Sequence, residues 1–236
     1  MSAPARVDRR RLLQNISIFE GIDPSDLEGL VEITTTKRLS AREVLMRKGD
    51  ENRQLYGVMS GRLRILGESE EGKEIVFSIS NPGEVIGEIS LLDSYPVSAT
   101  VEAIEPCELL TLHRRDLKPF LEKHPRVAIN LAELLAGRVR RLSELVEDTL
   151  FLTLPSRLAK KLVGLAQTYG KETPTGVLIE LRLSQHELGE LVGATRESIN
   201  KQMRAWTSEG LVRFDQGYIT ITDSDGLESL ARYLIP

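Results

Sequence analysis

Cysteine, tryptophan and histidine are scarce in this 236-residue chain, with one, one and three copies respectively. A single thiol, Cys107, allows no internal disulfide and cannot supply the several thiolates of a zinc or iron–sulfur centre. Three scattered histidines add no ligand cluster, so no metal is expected. No apolar run approaches the roughly 18 residues of a membrane span. The basic start, MSAPARVDRRRLLQ, is followed by neither an apolar core nor a small-residue cleavage site. A soluble, cytoplasmic protein without membrane contact is the expectation. Also missing are a Ser/His/Asp or Cys/His constellation, a GxGxxG and a GxxxxGK, so no catalytic residue is assigned and no enzyme activity is expected.

What the chain does contain is 41% apolar residues, enough for two modest domains, and a net charge of −4. An acidic balance is unusual for a nucleic-acid binder, yet recognition depends on local charge. The stretch Leu183–Gly210, LSQHELGELVGATRESINKQMRAWTSEG, has the form of a helix-turn-helix. Ser184 can cap a first helix with Glu187 as the returning half of a capping box, and Leu188, Leu191 and Val192 give it an apolar stripe. Gly193 then breaks it, and Thr195 can cap a second helix. At about 100° per residue, Arg196, Glu197, Asn200, Lys201 and Arg204 share one polar face of that helix, while Ile199, Met203 and Trp206 share the opposite one.

In chain order, a short helix is expected over Asp8–Gln14 and a second over Pro24–Val31. From Thr34 to about Leu112 the pattern changes to short β-type runs: Val44–Met46, Leu55–Met59, Leu63–Leu66, Ile75–Ile79, Ala99–Ala103 and Glu108–Thr111. Turn signals at Ser60-Gly61, Glu71-Gly72 and Asn81-Pro82-Gly83 separate them, as in an antiparallel barrel or sandwich. Helical character returns at Asp116, pauses at His124-Pro125 and runs on to Asp148. Along that longest helix Leu131, Leu135, Arg138, Leu142, Leu145 and Thr149 recur at alternating four and three spacing, a heptad-like seam suited to a second copy. Leu134, Val139 and Val146 form another apolar face that can lie on the helix's own barrel. A helix from Pro155 to Tyr169 stopped by Gly170, a strand over Val177–Leu183, and a hairpin of Leu211–Phe214 and Tyr218–Ile221 about Asp215-Gln216-Gly217 make the C-terminal part a winged helix-turn-helix.

Four stretches carry a resemblance: LYGVMSGRLRIL at Leu55–Leu66, EGKEIVFSISNPGEVIGEISLL at Glu71–Leu92, SAT at Ser98–Thr100 and LVGATRESINK at Leu191–Lys201. In that order they resemble the cyclic AMP receptor protein/FNR family of bacterial transcription regulators over essentially the whole chain. The resemblance implies an α+β protein: an N-terminal cyclic-nucleotide-binding-type β-roll, a double-stranded β-helix or jelly roll, over 1–125, a dimerisation helix over 126–150 and a winged helix-turn-helix over 151–236. It implies a homodimer on double-stranded DNA, activating in many contexts and in contact with RNA polymerase. Arg196, Glu197 and Lys201 occupy the family's base-reading places, and similar sequences read half-sites resembling TGTGA. Arg and Lys donate to guanine O6 and N7, and a carboxylate accepts from the cytosine amino group. Lysine at 201 lacks the planar fork of arginine. Ser184, Gln185 and Thr195 are candidate phosphate contacts, or ordinary caps and surface residues.

The effector pocket departs from the family pattern. In members that bind cyclic AMP, a Gly-Glu pair holds the ribose hydroxyl and an Arg-Ser pair holds the cyclic phosphate. Gly87, Glu88 and Ser98 match, but Val97 stands at the arginine position. On the long helix a Thr-Ser pair meets the adenine, and here Leu142-Ser143 keeps only the serine. Three readings stay open: a cyclic mononucleotide (cyclic AMP or cyclic GMP) bound weakly through backbone groups near Ser98 and Ala99; another effector such as cyclic di-GMP; or no effector, with Glu88 paired to Arg138. Cysteine-based iron–sulfur sensing is excluded, and Cys107 and His113 are read as ordinary β-roll residues rather than haem ligands. The rival of a different class is a ligand-binding signalling module whose head engages a protein.

Overall fold

The computed structural model describes residues 11–232. The chain divides into two compact units, one formed by the residues up to Ser69 with Phe77–Arg141, the other by Glu70–Val76 with the residues from Leu142 onward.

Ahead of the long helix, a short helix α1 (Glu28–Ile33) precedes eight strands: β1 (Thr35–Leu39), β2 (Val44–Met46), β3 (Gln54–Ser60), β4 (Leu63–Glu68), β5 (Glu74–Ser80), β6 (Val85–Ile86), β7 (Thr100–Ala103) and β8 (Cys107–His113); all fall in the first unit except the start of β5, Glu74–Val76. They form two four-stranded antiparallel sheets, ordered β1-β8-β3-β6 and β2-β7-β4-β5. Helix α2 (Glu88–Asp93) lies between β6 and β7, and α3 (Arg114–Lys123) follows β8.

The two sheets enclose one core and the helices cover another. Leu55 of β3, Val85 of β6 and Leu110 and Leu112 of β8 join Leu13, Phe19, Leu30, Leu117, Phe120 and Val127 in the helix-side cluster. Their strand neighbours Tyr56, Ile86 and Leu109 point the other way, with Met46, Leu63, Val97 and Val101. Successive side chains of a strand face opposite ways, so a strand buried on both faces reads as a continuous apolar run rather than an alternation. β8 carries Leu109, Leu110 and Leu112 for that reason.

The long helix α4 spans Pro125–Phe151, and the boundary between the units falls inside it. At its start the Asn130 amide, buried, donates to the carbonyls of Ile18 (3.0 Å) and Glu20 (2.9 Å). In the second unit, α5 (Leu154–Tyr169), β9 (Gly170–Thr173), β10 (Gly176–Ile179), α6 (Gln185–Val192), α7 (Arg196–Ser208), β11 (Val212–Asp215), β12 (Tyr218–Ile221) and α8 (Ser224–Ala231) follow. Its sheet runs β11-β12-β10-β9, with the expected wing hairpin at one edge.

Several expectations are corrected. Asp8–Arg10 lie outside the described residues, and only Arg11–Gln14 of that helix is seen. The helix expected over Pro24–Val31 begins at Glu28, because Asp23 holds the backbone and hydroxyl of Ser25 in a turn instead. The strand expected to reach Leu183 ends at Ile179, since the Glu180 N–H donates to Tyr169 across the connection. β1, β6, α2, β9 and α8 were not anticipated; these segments are short or mixed in polarity and take their form from pairing and packing.

The turn between α6 and α7 depends on one close approach. Gly189 lies inside α6, and a Cβ there would sit 2.5 Å from the Ala194 carbonyl oxygen. Backbone cannot yield as a flexible side chain can, so Gly189→Ala is expected to destabilise this unit by about 1–3 kcal/mol. Chemical denaturation of the two proteins measures it, and an unchanged midpoint would show that the turn relaxes freely.

Candidate DNA-reading face and effector pocket

Both helices of the helix-turn-helix are capped from their own sequence. Ser184 Oγ accepts from the Glu187 N–H (3.2 Å), and Glu187 Oε2 accepts from the Ser184 N–H (2.7 Å), completing the capping box. Gly193 ends α6 in the left-handed conformation, φ 66°. Thr195 Oγ1 accepts from the Ser198 N–H at 3.2 Å and starts α7. Ile199, Met203 and Trp206 are buried, whereas Arg196, Glu197, Lys201 and Arg204 are exposed on the other face. Asn200 is half-buried and accepts from the Gln185 amide at 3.4 Å, so these two polar side chains are drawn towards each other across the two helices. The Ser184 hydroxyl serves as a cap through its lone pairs, which leaves its proton available to a phosphate, while the Thr195 hydroxyl also shares a hydrogen bond with the Ser198 hydroxyl at 2.9 Å.

In the β-roll, the backbone turns into α2 at Gly87, φ 87°. A Cβ there would meet the Gln54 carbonyl oxygen at 2.6 Å and the Asn52 amide nitrogen at 2.8 Å, so the position admits only glycine. The next residue, Glu88, is 1% exposed. Its Oε1 accepts from Arg138 Nη1, and Arg138 Nη2 donates to the Val85 carbonyl at 2.6 Å. Glu88 Oε2 is equally buried and has no hydrogen-bond partner. An unsatisfied buried carboxylate oxygen costs on the order of 1–3 kcal/mol, and a ligand hydroxyl is one group that would satisfy it.

Val97 is 6% exposed and packs in the core between the sheets. Its backbone is pinned on both sides: Val97 N–H donates to Asp50 O at 2.9 Å, and Gly49 N–H donates to Val97 O at 2.8 Å. Position 97 therefore presents an apolar side chain and no charge. Ser98 is exposed beside it, Ala99 is buried, and Ser143 is exposed on α4. Cys107 is a core residue whose thiol donates to the carbonyls of Arg62 and Glu105, and burial pushes that thiol's pKa up. His113 caps α3, its Nδ1 accepting from the Arg115 N–H. Among the described residues no group of three or more His, Cys, Asp or Glu side chains is arranged to hold a metal ion.

The expected seam on α4 is redrawn. Leu131 is 3% exposed and belongs to the helix-side core, with Leu134 against it. Arg138 turns to Glu88 and Val85. Leu135 and Leu145 are half-buried, and the open apolar stripe comprises Val139 (62% exposed), Leu142 (48%), Val146 (57%) and Leu150 (62%). Val139 and Val146, read from the sequence as able to face the barrel, are thus exposed. Heptad spacing identifies a stripe but leaves its rotation about the helix axis to the surrounding packing.

Sequence reasoning anticipated the Glu88–Arg138 pair only as one alternative. It missed the Arg138 bond to Val85 and the burial of Val97. Val97 is itself apolar and flanked by short polar segments, and nothing local reports which core it enters.

Comparison with known proteins places these features together. Residues 36–124 match the cyclic nucleotide-binding domain and residues 156–230 the Crp-like helix-turn-helix domain. The chain is 31% identical to the cyclic AMP receptor protein of Thermus thermophilus over 214 residues, covering 91% of this chain and 96% of that protein. It is 28% identical over 221 residues to the CRP-like cAMP-activated global transcriptional regulator of Mycobacterium tuberculosis, 94% of this chain and 99% of that one. In structure it is similar to the c-di-GMP responsive global regulator CLP of Xanthomonas campestris, with a TM-score of 0.77 at 24% identity over 85% of this chain and all of that one. Among the described residues no helix is long and apolar enough to cross a membrane. With a cyclic-nucleotide-binding β-roll, a long helix and a winged helix-turn-helix in this order, the chain belongs to the cyclic AMP receptor protein/FNR family of DNA-binding transcription regulators.

Proposed function

We propose that the protein acts as a homodimer on a palindrome of TGTGA-like half-sites in cytoplasmic DNA, by binding rather than catalysis. The observation that carries this is the α7 face: Arg196, Glu197 and Lys201 exposed together above a buried Ile199, Met203 and Trp206. Ser184, Gln185 and Thr195 lie at or beside the helix starts, where phosphates are bound. Asn200, tied to Gln185, orients the face rather than reading a base. A mobility-shift assay with a TGTGA palindrome tests the reading; a salt-sensitive complex is expected, and no preference over a scrambled duplex would refute it.

The dimer is formed through the α4 stripe, since apolar side chains this exposed in a continuous row need a partner. Val139→Asp with Val146→Asp is expected to convert dimer to monomer in light scattering while the β-roll stays folded. A dimer that survives both charges would move the interface elsewhere. The β-roll is the control element, and activation of transcription proceeds through contact with RNA polymerase. Its effector is a cyclic mononucleotide, cyclic AMP or cyclic GMP, whose ribose hydroxyl donates to Glu88 Oε2. The affinity is low because Val97 offers the phosphate no charge. Backbone groups at Ser98 and Ala99, with Gly87 and Ser143, complete the pocket. Two relatives named above are cyclic AMP-responsive by name, which favours this ligand over cyclic di-GMP.

A further inference from the structure

The first unit holds a cleft of about 690 Å³ bounded by the β2–β3 connection, the end of α2 and the start of α3. Its charge is one-sided. Arg53, Arg114, Arg115 and Lys118 line it against Glu51 and Glu122, in a chain that is acidic as a whole. Arg53 reaches Glu51 at 3.7 Å, both exposed, and the exposed Arg115 reaches the half-buried Asp116 at 3.5 Å. Arg114 and Lys118 enter no ion pair among the described residues. With four basic side chains against two acidic ones in one concavity, and two of the four in no direct ion pair, the local field is positive and a small anion would neutralise it.

The remaining lining adds shape and a connection. Tyr95, 73% exposed, presents a free aromatic face at the rim. The half-buried Asn52 and the buried Ser90 form its inner lining. The Asn52 amide donates to Gln54 O (2.7 Å), Ser90 Oγ (3.3 Å) and Gly87 O (3.5 Å), and Ser90 Oγ donates to the same Gly87 carbonyl at 3.4 Å. Gly87 is bonded directly to Glu88. A ligand that draws a hydrogen bond from Asn52 or Ser90 therefore takes it from the backbone that positions the buried carboxylate.

We propose that this cleft binds a phosphorylated small molecule of nucleotide size, its phosphates on Arg114 and Lys118 and its flat part against Tyr95, and that occupancy is relayed through Asn52 and Ser90 to Gly87. The volume falls within the range of small-ligand sites, and guanidinium and ammonium groups are the usual partners of phosphate. An acidic peptide would satisfy the charge but would make no use of the inner hydroxyl and amide.

The test is calorimetric titration of the full-length protein with inorganic pyrophosphate and with ADP. Both are expected to bind saturably, and Arg114→Gln and Lys118→Gln are each expected to weaken both about tenfold, the loss of one charge-assisted contact. Tyr95→Ala should weaken ADP and leave pyrophosphate unchanged. Arg196→Ala and Glu88→Gln, which alter the DNA face and the neighbouring pocket, should retain ADP binding. These substitutions fall on exposed or half-buried side chains except Glu88, and thermal unfolding checks each fold. The proposal is overturned by an absence of saturation at millimolar ligand, by binding indifferent to Arg114 and Lys118, or by tighter binding of a hexaglutamate peptide than of ADP.

Discussion

Arg196→Ala is expected to abolish recognition of a TGTGA-like palindrome while leaving the protein folded and dimeric. Arg196 is exposed on the first turn of α7, and its side chain enters no packing that the fold needs. A bidentate arginine–guanine contact is worth about 1–3 kcal/mol of discrimination. A dimer presents the residue twice, so the loss is about 2–6 kcal/mol per palindrome, roughly thirtyfold to more than ten-thousandfold. Weak, sequence-independent binding should persist, because it rests on phosphate contacts elsewhere. Competition between the palindrome and a scrambled duplex at fixed salt measures the ratio. A variant that still prefers the palindrome as strongly as the parent would remove Arg196 from the base readers. Lys201→Arg is the matching gain: it restores a planar fork and should sharpen discrimination at one base pair in each half-site.

On the proposed reading of a cyclic mononucleotide effector, Val97→Arg is expected to raise nucleotide affinity strongly at a cost to the free protein. A guanidinium at this position would meet the cyclic phosphate, and a hydrogen bond to a charged group contributes about 1.5–3 kcal/mol, or roughly tenfold to more than a hundredfold in cyclic AMP affinity. Without ligand the same charge has to leave the core shared with Tyr56, Met46 and Val101. Placing an unpaired charge in such a core is among the more destabilising substitutions, so the ligand-free variant should melt several degrees lower than the parent and recover with cyclic AMP. Differential scanning fluorimetry with and without nucleotide reads both effects. If the variant folds yet gains no affinity, phosphate charge is not what limits this pocket. Adding Glu88→Gln should then separate the two ends of the ligand, since it removes the acceptor for the ribose hydroxyl without touching position 97.

The pairing of Glu88 with Arg138 gives the β-roll a direct tie to α4. One carboxylate oxygen is held by the helix and the other faces no partner. On the proposed reading a ligand hydroxyl that satisfies the second oxygen binds the same carboxylate that Arg138 holds, so ligand and helix position become coupled equilibria. Part of the pair's energy offsets the desolvation of the buried Glu88 carboxylate and the half-buried Arg138, which is why such a pair serves better as a specific latch than as a source of stability.

Short-range chemistry made much of this protein legible in its sequence. The capping box at Ser184 and Glu187, the stop at Gly193 and the apolar triad Ile199, Met203 and Trp206 are set by spacing within one or two helical turns, and they appear as read. The wing hairpin about Asp215-Gln216-Gly217 is likewise local, because the turn residues and the flanking strands are contiguous. Tertiary structure alone decided which way α4 is rotated, sending Leu131 inward and leaving Val139 and Val146 exposed. It also put Val97 into the core between the sheets, joined Arg138 to Glu88 across fifty positions of sequence, and gathered Arg53, Arg114 and Lys118 around one cleft. A repeat within one helix specifies a face but not its neighbour, and contacts between distant segments are set by packing that no local pattern encodes.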